Sequence, residues 1–141
     1  MQCLDRLAQQ TFKDFEVVLV DSGSTDGSLD GVESRWPGLT LRVKRLGENR
    51  GFAAANNLGA RLARGQWLAL LNSDAFPDAD WLEKLLKAAE CYPEFTFFAS
   101  RQIQANAPHL LDGAGDALHI SGLAWRRCAG FPAAQFGLEP E

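Results

Sequence analysis

The stretch FEVVLVDSGSTDG, residues 15–27, joins a short apolar run to a loop of small polar residues. The run FEVVLV (15–20) is rich in β-branched residues, a composition typical of strands buried on both faces of a parallel sheet. The two glycines that follow predict a turn. A second stretch, WLALLNSD (67–74), has the same form, because an apolar run again ends in an aspartate, Asp74. We therefore predict two buried strands that each lead into a carboxylate.

The rest of the chain alternates further strand and helix patterns. Apolar residues at helical spacing predict helices over 2–10, 52–63 and 81–92 and a modest helix over 28–36, while LTLRVKRL (39–46) and FTFFAS (95–100) predict strands. The alternation in LTLRVKRL marks a strand with one solvated face at a sheet edge. This order predicts an α/β domain with a mainly parallel sheet and right-handed crossovers.

The last third of the chain does not continue the alternation of strand and helix patterns. Beyond Arg101, DALHI and LAWRR flank Ser121-Gly122, which predicts a two-residue hairpin turn, and the tail from Gly130 carries no predicted element. We treat residues 1–141 as one domain, with a layered part over 1–100 and a hairpin with an irregular tail over 101–141.

Composition limits the class of protein. The 141 residues are 46% hydrophobic and 23% charged, which suits one globular domain, and the net charge of −4 gives no reason to expect nucleic acid as a partner. Cys3, Cys91 and Cys128 lack disulfide or zinc spacing, which favours a reducing compartment. No membrane span or signal peptide is recognisable, so we expect the cytoplasm, or peripheral attachment at the inner face of the membrane.

The two aspartates that follow the apolar runs define the candidate site. Ligands of open α/β sheets bind beyond the carboxyl ends of the strands, so parallel strands would bring Asp21 and Asp74 to the same rim. Carboxylate oxygens there would select Mg²⁺ or Mn²⁺ bridging a diphosphate, or would accept hydrogen bonds from a nucleoside. An aspartate after a strand is also a common turn former or helix cap, and spacing alone leaves that interpretation open.

Three ordered motifs carry a resemblance to a known family. VD-x-GS-x-DGS begins at Val20, N-x-G-F-A-x-A-x-N begins at Asn49, and LLN-x-D-x-x-P begins at Leu70. Together they resemble family-2 inverting glycosyltransferases with the GT-A fold, a three-layer α/β/α nucleotide-diphospho-sugar transferase domain, and the rhamnosyltransferase-like members in particular. The resemblance covers about residues 3–125. It implies that residues 1–100 are the nucleotide-sugar-binding half of a partial domain.

The resemblance implies roles for the acidic residues. The aspartate that matches Asp21 contacts the base or ribose of the nucleotide, and the one that matches Asp74 closes a DxD-like motif and binds a divalent Mg or Mn cation on the diphosphate. Here that motif reads Asn72-Ser73-Asp74, so an asparagine replaces one of its acids. The implied donor is a dTDP- or UDP-linked sugar, and no catalytic base is identified.

Further substrate-binding residues fall in the loops. Asn49, Gly51 and Asn57 match the donor-side loop of the family, where a small residue lets the backbone approach the ligand. The competing interpretation is that Gly51 only turns the chain and that both asparagines are ordinary surface residues. Ser24 belongs to the first motif and is expected to cap a helix in either case.

Other phosphate and metal motifs are absent from the loop at 21–27. It has neither GxGxxG nor GxxxxGK[ST], and as a calcium loop from Asp26 it places Pro37 where the last carboxylate ligand should be. A nucleotidyltransferase-like domain is a weaker alternative, because its diagnostic loop would precede the first residue.

The resemblance also implies missing parts. Relatives begin with an apolar strand central to the sheet, and they carry a downstream acidic pair that supplies the general base. The acids Asp112, Asp116, Glu139 and Glu141 lack the surroundings of that pair. We therefore expect an incomplete transferase of cell-surface polysaccharide biosynthesis, acting on a saccharide or lipid-linked acceptor when complete. The alternative is a non-catalytic nucleotide-sugar-binding or self-associating remnant, a homo-oligomer joined through its incomplete sheet.

Overall fold

Residues 2–135 are described by a computed structural model of the chain. The elements are helices α1 (Gln2–Ala8), α2 (Val32–Arg35), α3 (Phe52–Leu62) and α4 (Trp81–Cys91), strands β1 (Glu16–Asp21), β2 (Thr40–Arg45), β3 (Arg101–Gln104), β4 (Ala107–Ala114), β5 (Asp116–Leu118) and β6 (Ala124–Arg126), and a 3₁₀ turn at Ala133–Gln135. The chain divides into two compact units, Met1–Lys87 and Ala88–Glu141. The acids Glu139 and Glu141 lie outside the described residues.

Strands β1 and β2 form a parallel pair in the first unit. The register runs from Glu16 opposite Thr40 to Asp21 opposite Arg45, without a shift. Both strands were predicted from the sequence. Within residues 2–135 each has the other as its one strand neighbour, which agrees with the edge position predicted for β2. Parallel strands end on the same side, so the loops after Asp21 and Arg45 leave the sheet together.

The core of the first unit lies between α1 and this sheet. Leu4 and Leu7 are buried with Val32 and Trp36, and apolar side chains of both strands pack against them. The indole N–H of Trp36 donates to Asp5 at 2.9 Å, which satisfies a polar group inside an apolar cluster. Each fully buried leucine contributes about 1.5–3 kcal/mol to folding, so α1 is a principal source of stability.

Helix α3 runs antiparallel to β1. Its Gly59 packs against Val20, where an added Cβ would meet the valine at 3.4 Å. At the far end, Arg42 donates to the carbonyl of Leu62 at 2.6 Å, and the backbone N–H of Arg64 donates to Glu16, the first residue of β1. The carboxyl end of α3 therefore lies at the amino end of the sheet, and its amino end points toward the loops.

A buried glutamine joins α1 to the start of α4. Gln10 has no exposed surface, its amide donates to the carbonyl of Asp78 at 2.6 Å, and its amide oxygen accepts from the N–H of Leu82 at 3.0 Å. The second bond satisfies one of the N–H groups that a helix leaves unpaired in its first turn. The sequence pattern placed Gln10 at the end of a helix but gave no sign of this role.

The predicted buried strand WLALLN (67–72) is wrong. No part of it forms a strand, and Trp67, Leu68 and Leu70 expose 45%, 55% and 64% of their surfaces. The sheet that contains β1 has two strands within residues 2–135, so this segment has no ladder of hydrogen bonds beside it. A strand forms only where a neighbouring strand accepts and donates backbone hydrogen bonds. Segment 67–72 is apolar but has no such neighbour within the described residues.

The second unit contains two antiparallel hairpins instead of the predicted strand FTFFAS (95–100). That prediction is wrong, because Phe95 donates its N–H to Tyr92 in a turn that follows α4, and Phe97 is 92% exposed. Strand β3 begins only at Arg101 and pairs with β4 through two register shifts. The β3–β4 hairpin was missed because its strands mix polar residues with glycine and proline.

Leu111 on β4 is the buried centre of this unit. It has no exposed surface, and its backbone exchanges hydrogen bonds with Phe131 and Gly130 at 2.8 and 2.9 Å. The tail from Gly130, predicted to lack regular structure, therefore lies against β4 over its described part and forms a short 3₁₀ turn.

The predicted hairpin of DALHI and LAWRR is confirmed as β5 and β6, but its turn is longer than two residues. Asp116 lies opposite Arg126 and Leu118 opposite Ala124. His119 donates its N–H to Leu123, and Gly122 donates to His119 with a φ of +85°. This is a three-residue loop that closes on a left-handed residue, a conformation that glycine adopts without strain.

Candidate functional site

The loop after β1 is organised by Asp21. This residue exposes 8% of its surface, and the N–H of Ser24 donates to its carboxylate at 2.9 Å. Hydrogen bonds from Ser24, first its hydroxyl and then its N–H, hold the pKa of Asp21 below its usual value, and the charge of Arg45 acts in the same direction. Asp21 is therefore an ionised carboxylate fixed at the carboxyl end of β1.

Ser24 does not cap a helix, so that expectation is wrong. The residues that follow it form bends and turns, and the next helix, α2, begins only at Val32 with Gly31 as its N-cap. Three glycines in this region, Gly23, Gly27 and Gly31, have positive φ values. Left-handed residues interrupt helical winding, so Ser24 serves to hold Asp21 instead.

The loops after β1 and β2 pack directly against each other. Gly23 has a φ of +88°, and a Cβ added to it would lie 3.1 Å from the backbone of Glu48. The carbonyl of Asp21 also accepts the N–H of Leu46 at 2.9 Å. Only glycine combines that φ with so close an approach, so the first motif packs against Glu48, the residue directly before the second motif.

Asn49 and Gly51 shape the start of α3. The side-chain oxygen of Asn49 accepts the N–H of Gly51 at 2.9 Å, and Gly51, with a φ of +84°, is the N-cap of the helix. No side chain caps this helix start. Its first N–H groups therefore face the loop region, where the positive end of the helix dipole favours an anion.

Asn57 lies exposed in the second turn of α3. Its neighbour Asn56, which was not predicted to matter, donates from its side chain to the carbonyl of Phe52 at 2.9 Å. The structure thus gives Asn56 a local structural role and leaves the side chain of Asn57 facing solvent, where it could contact a ligand or water.

Asn72 and Asp74 form a second group, beside the first turn of α1. The carbonyl of Asn72 lies 3.6 Å from the Sγ of Cys3, within hydrogen-bond distance for sulfur, and it also accepts the N–H of Ala75 at 3.1 Å. Burial and the negative charge of Asp74 raise the pKa of the Cys3 thiol. Cys3 is buried while both motif side chains are exposed, so Cys3 anchors the motif and the two polar side chains face solvent.

Six of the seven predicted site residues therefore fall into two groups, and the seventh is Asn57 on α3. Asp21, Ser24, Asn49 and Gly51 share one loop cluster, and Asn72 and Asp74 share the turn beside Cys3. Within residues 2–135, no hydrogen bond or ion pair links Asp21 to Asp74. The convergence of these two carboxylates on one ligand stays a prediction.

The donor set at Asp74 fits a cation only if a ligand supplies most of the oxygen atoms. The part of the chain that the structure describes contains no group of three or more histidine, cysteine, aspartate or glutamate side chains placed to hold a metal. Mg²⁺ is commonly held by one or two carboxylates together with substrate phosphates. The exposed Asp74 fits that arrangement.

Sequence reasoning missed three residues that build these groups. Cys3 and Asn72 are separated by 69 positions, and no local pattern joins them. The atoms of Glu48 nearest to Gly23 belong to its backbone, a contact that its residue type does not predict. Arg45 faces Asp21 across the strand pair, and the predicted parallel pairing of the two strands could have identified it.

None of the helices in the described part of the chain combines the length and the apolar character that crossing a membrane requires.

Comparison with protein families gives a match over most of the chain. The profile described as Glycosyl transferase family 2 matches residues 1–109. This range includes both loop groups and all three motifs, and it ends within β4.

Individual relatives match the same region. A PGL/p-HBAD biosynthesis glycosyltransferase of Mycobacterium tuberculosis is 42% identical over 85 residues, which are 59% of this chain and 33% of the relative. The uncharacterized glycosyltransferase YfnE of Bacillus subtilis is 39% identical over 82 residues, or 58% of this chain and 21% of the relative. EpsH of Bacillus subtilis, named as a candidate glycosyltransferase, is 34% identical over 88 residues, or 62% and 25%. The matched region is thus a third or less of each of these relatives.

Proposed function

The chain belongs to glycosyl transferase family 2, a family of sugar-transferring enzymes with the GT-A fold, and we propose that it is the donor-binding part of such an enzyme. The proposed reaction transfers a sugar from a dTDP- or UDP-linked donor to an acceptor hydroxyl with inversion. The acceptor of the complete enzyme would be a saccharide or a lipid-linked saccharide in cell-surface polysaccharide synthesis. The proposed location is the cytoplasm or the inner face of the membrane.

The observation that carries this proposal is the packing of two loops at the carboxyl ends of β1 and β2. Gly23 lies against Glu48, Ser24 holds Asp21, and Asn49 holds Gly51 at the start of α3. A fixed carboxylate beside an open helix start combines an acceptor for sugar or base hydroxyl and N–H groups with N–H donors for an anion. Those are the two chemistries that a nucleoside diphosphate presents.

Asp74 is the residue that would hold Mg²⁺ or Mn²⁺. When bound, such an ion would neutralise charge on the leaving diphosphate. The contribution of this chain is to hold the backbone of the motif, because the carbonyl of Asn72 is bonded to Cys3 and to Ala75 two residues before the Asp74 side chain. Constraint of this kind lowers the entropy lost when a ligand binds.

We assign none of the described residues as the general base of the reaction. Asp112 is paired with Arg126, and Asp116 lies opposite Arg126 in the β5–β6 hairpin. A base contributes about a hundred- to ten-thousandfold in rate. We therefore propose that the 141-residue chain binds donor but has little or no transferase turnover by itself. A donor-hydrolysis and transfer assay with rates like those of the relatives would contradict this.

Calorimetric titration with UDP and dTDP, each with and without Mn²⁺, tests donor binding. Asp21→Asn and Asp74→Asn should each weaken binding by about tenfold or more, because each removes a charged hydrogen-bond acceptor or ion ligand. Only the effect of Asp74→Asn should depend on Mn²⁺. Asp26→Asn is the matched control, since Asp26 lies exposed in the same loop and accepts from its neighbour Ser28.

A second candidate function is a non-catalytic module that associates with itself through the incomplete sheet. Two observations favour it. Strand β1 has a single strand neighbour within the described residues, and Trp67, Leu68 and Leu70 are exposed. Analytical ultracentrifugation tests it. A dimer that Leu68→Asp and Leu70→Asp together dissociate, with no heat from either nucleotide, would favour this alternative over donor binding.

A further inference from the structure

The turn end of the β5–β6 hairpin groups several strongly exposed apolar side chains in the described part of the second unit. Ile120 is fully exposed at 100%, and Leu118, Leu123 and Trp125 expose 77%, 69% and 53% of their surfaces. These four large apolar side chains lie within eight consecutive residues. Contiguous exposed apolar surface of this kind marks a place where another molecule or phase is contacted.

The apolar side chains lie on both faces of the hairpin. Leu118 is opposite Ala124, while Trp125 is opposite Ala117, one position along. Successive residues of a strand point to opposite faces, so Leu118 and Trp125 lie on different faces, with Ile120 and Leu123 at the turn between them. A flat protein surface would cover one face, whereas a fluid apolar phase covers both.

The charges near this end suit the head groups of a bilayer. Residues 117–127 include Arg126, Arg127 and His119 but no acidic residue, in a chain with a net charge of −4. The acids of this region, Asp112 and Asp116, lie at the base of the hairpin, where Asp112 pairs with Arg126. The turn end is therefore free of the negative charge that would oppose contact with anionic lipid.

The dimensions also fit an interfacial element. At about 3.3 Å per residue, the length from the Asp116–Arg126 pair to the turn is roughly 13 Å. Interfacial elements bury their apolar parts roughly 5–10 Å into the boundary between head groups and acyl chains. With arginines at the base and a tryptophan one residue above them, the hairpin has the order of groups found at membrane–water interfaces.

We propose that the turn end of the β5–β6 hairpin, residues 117–125, inserts into the interface of a bilayer that contains anionic lipids. The insertion is peripheral and reversible. It is independent of nucleotide binding, because none of these residues belongs to the two loop groups that define the donor site.

Vesicle co-sedimentation of the full 141-residue chain tests this proposal. Vesicles of phosphatidylcholine with 30% phosphatidylglycerol should pellet the protein, and vesicles of phosphatidylcholine alone should pellet less of it. Ile120→Asp should weaken binding by about tenfold or more, because it removes an apolar side chain from the buried end and adds a charge. Ile120→Trp should strengthen binding.

Phe97→Asp is the matched control. Phe97 belongs to the same unit and is 92% exposed, but it lies outside the hairpin, so this variant should bind vesicles like the unmodified chain. Equal loss in both variants would overturn the proposal, because it would show a general effect of exposed apolar residues. Absence of pelleting by the unmodified chain would overturn it as well.

Fluorescence gives a second measurement that does not depend on Ile120. Brominated lipid should quench the emission of the unmodified chain, and most of that quenching should disappear in Trp125→Phe. A dimer that is dissociated by Ile120→Asp in the absence of lipid would instead identify a second copy as the occupant and would overturn the proposal. UDP binding, measured in parallel, should be unchanged by all of these hairpin variants.

Discussion

Two segments of the first unit, 15–20 and 67–72, each contain five apolar residues and one polar residue but form different structures, and only the first contains valine. The first is strand β1, paired along its whole length with β2 and packed against α1. The second forms no strand, and only Leu71 within it packs against the core cluster. The difference teaches that an apolar run becomes a strand only when a neighbouring strand satisfies its backbone.

The largest expected effect compares a core leucine with a leucine of the unpaired segment. Leu4→Ala should lower the free energy of unfolding by about 2–4 kcal/mol, because it leaves a cavity at a side chain that is 4% exposed. Leu70→Ala should change it by less than about 0.5 kcal/mol, since Leu70 is 64% exposed. Urea titrations followed by circular dichroism measure both values.

A large decrease in the free energy of unfolding for Leu70→Ala would contradict the difference expected between the two segments. It would mean that segment 67–72 is covered in solution, and a dependence of that effect on protein concentration would point to a second copy of the chain.

Gln10 provides the next test, because it holds the region that follows the unpaired segment. Gln10→Ala should cost about 1–3 kcal/mol, since the carbonyl of Asp78 and the N–H of Leu82 would both lose a buried partner. Gln9→Ala is the control, because Gln9 is the adjacent glutamine and is exposed. Equal stability of the two variants, measured by the same urea titration, would show that the hydrogen bonds of Gln10 do not contribute to the stability of the fold.

The sequence was sufficient for elements whose signal is local. The helices at Gln2–Ala8, Phe52–Leu62 and Trp81–Cys91 follow from the spacing of apolar residues, and strands β1 and β2 follow from their composition. The parallel pairing of these strands followed from the alternation of strand and helix patterns. Helix α2 was predicted as the longer segment 28–36, but Gly31, which lies inside that segment, is the N-cap at a φ of +66°, so the helix begins only at Val32.

Elements that depend on distant partners could not be predicted. Segment 67–72 looked like a strand because its residues are apolar, and β3 and β4 did not look like strands because theirs are mixed. In both cases, pairing decided the outcome. The same holds for the site, where Asn49 and Gly51 were found from their motif, but the contacts of Cys3 with Asn72 and of Gly23 with Glu48 required the fold.

Gly23 tests whether the two loops of the candidate site act as one body. Gly23→Ala should cost about 1–2 kcal/mol or more, because it combines a φ of +88° with a contact at 3.1 Å to the Glu48 backbone. Gly47→Ala shares the positive φ but has nothing within 4 Å of the added Cβ, so it should cost about 1 kcal/mol. Thermal unfolding of both variants measures the difference in their loss of stability. Equal losses would show that the packing of the two loops does not contribute to stability.

The smallest expected effect is the acid sensitivity that Asp21 gives to the first unit. Its pKa is lower in the folded chain than in the unfolded one, because Ser24 and Arg45 favour the ionised form. A depressed pKa stabilises the folded state above the unfolded value of about 4, and that stability is lost as the pH falls through the folded pKa. Asp21→Asn should therefore flatten the loss of stability between about pH 4 and pH 2, measured by urea titration at each pH. Asp14→Asn changes an exposed acid of the same unit and is the comparison variant. If Asp14→Asn flattens the curve as much as Asp21→Asn does, the acid sensitivity comes from general charge and not from the packed loop around Asp21.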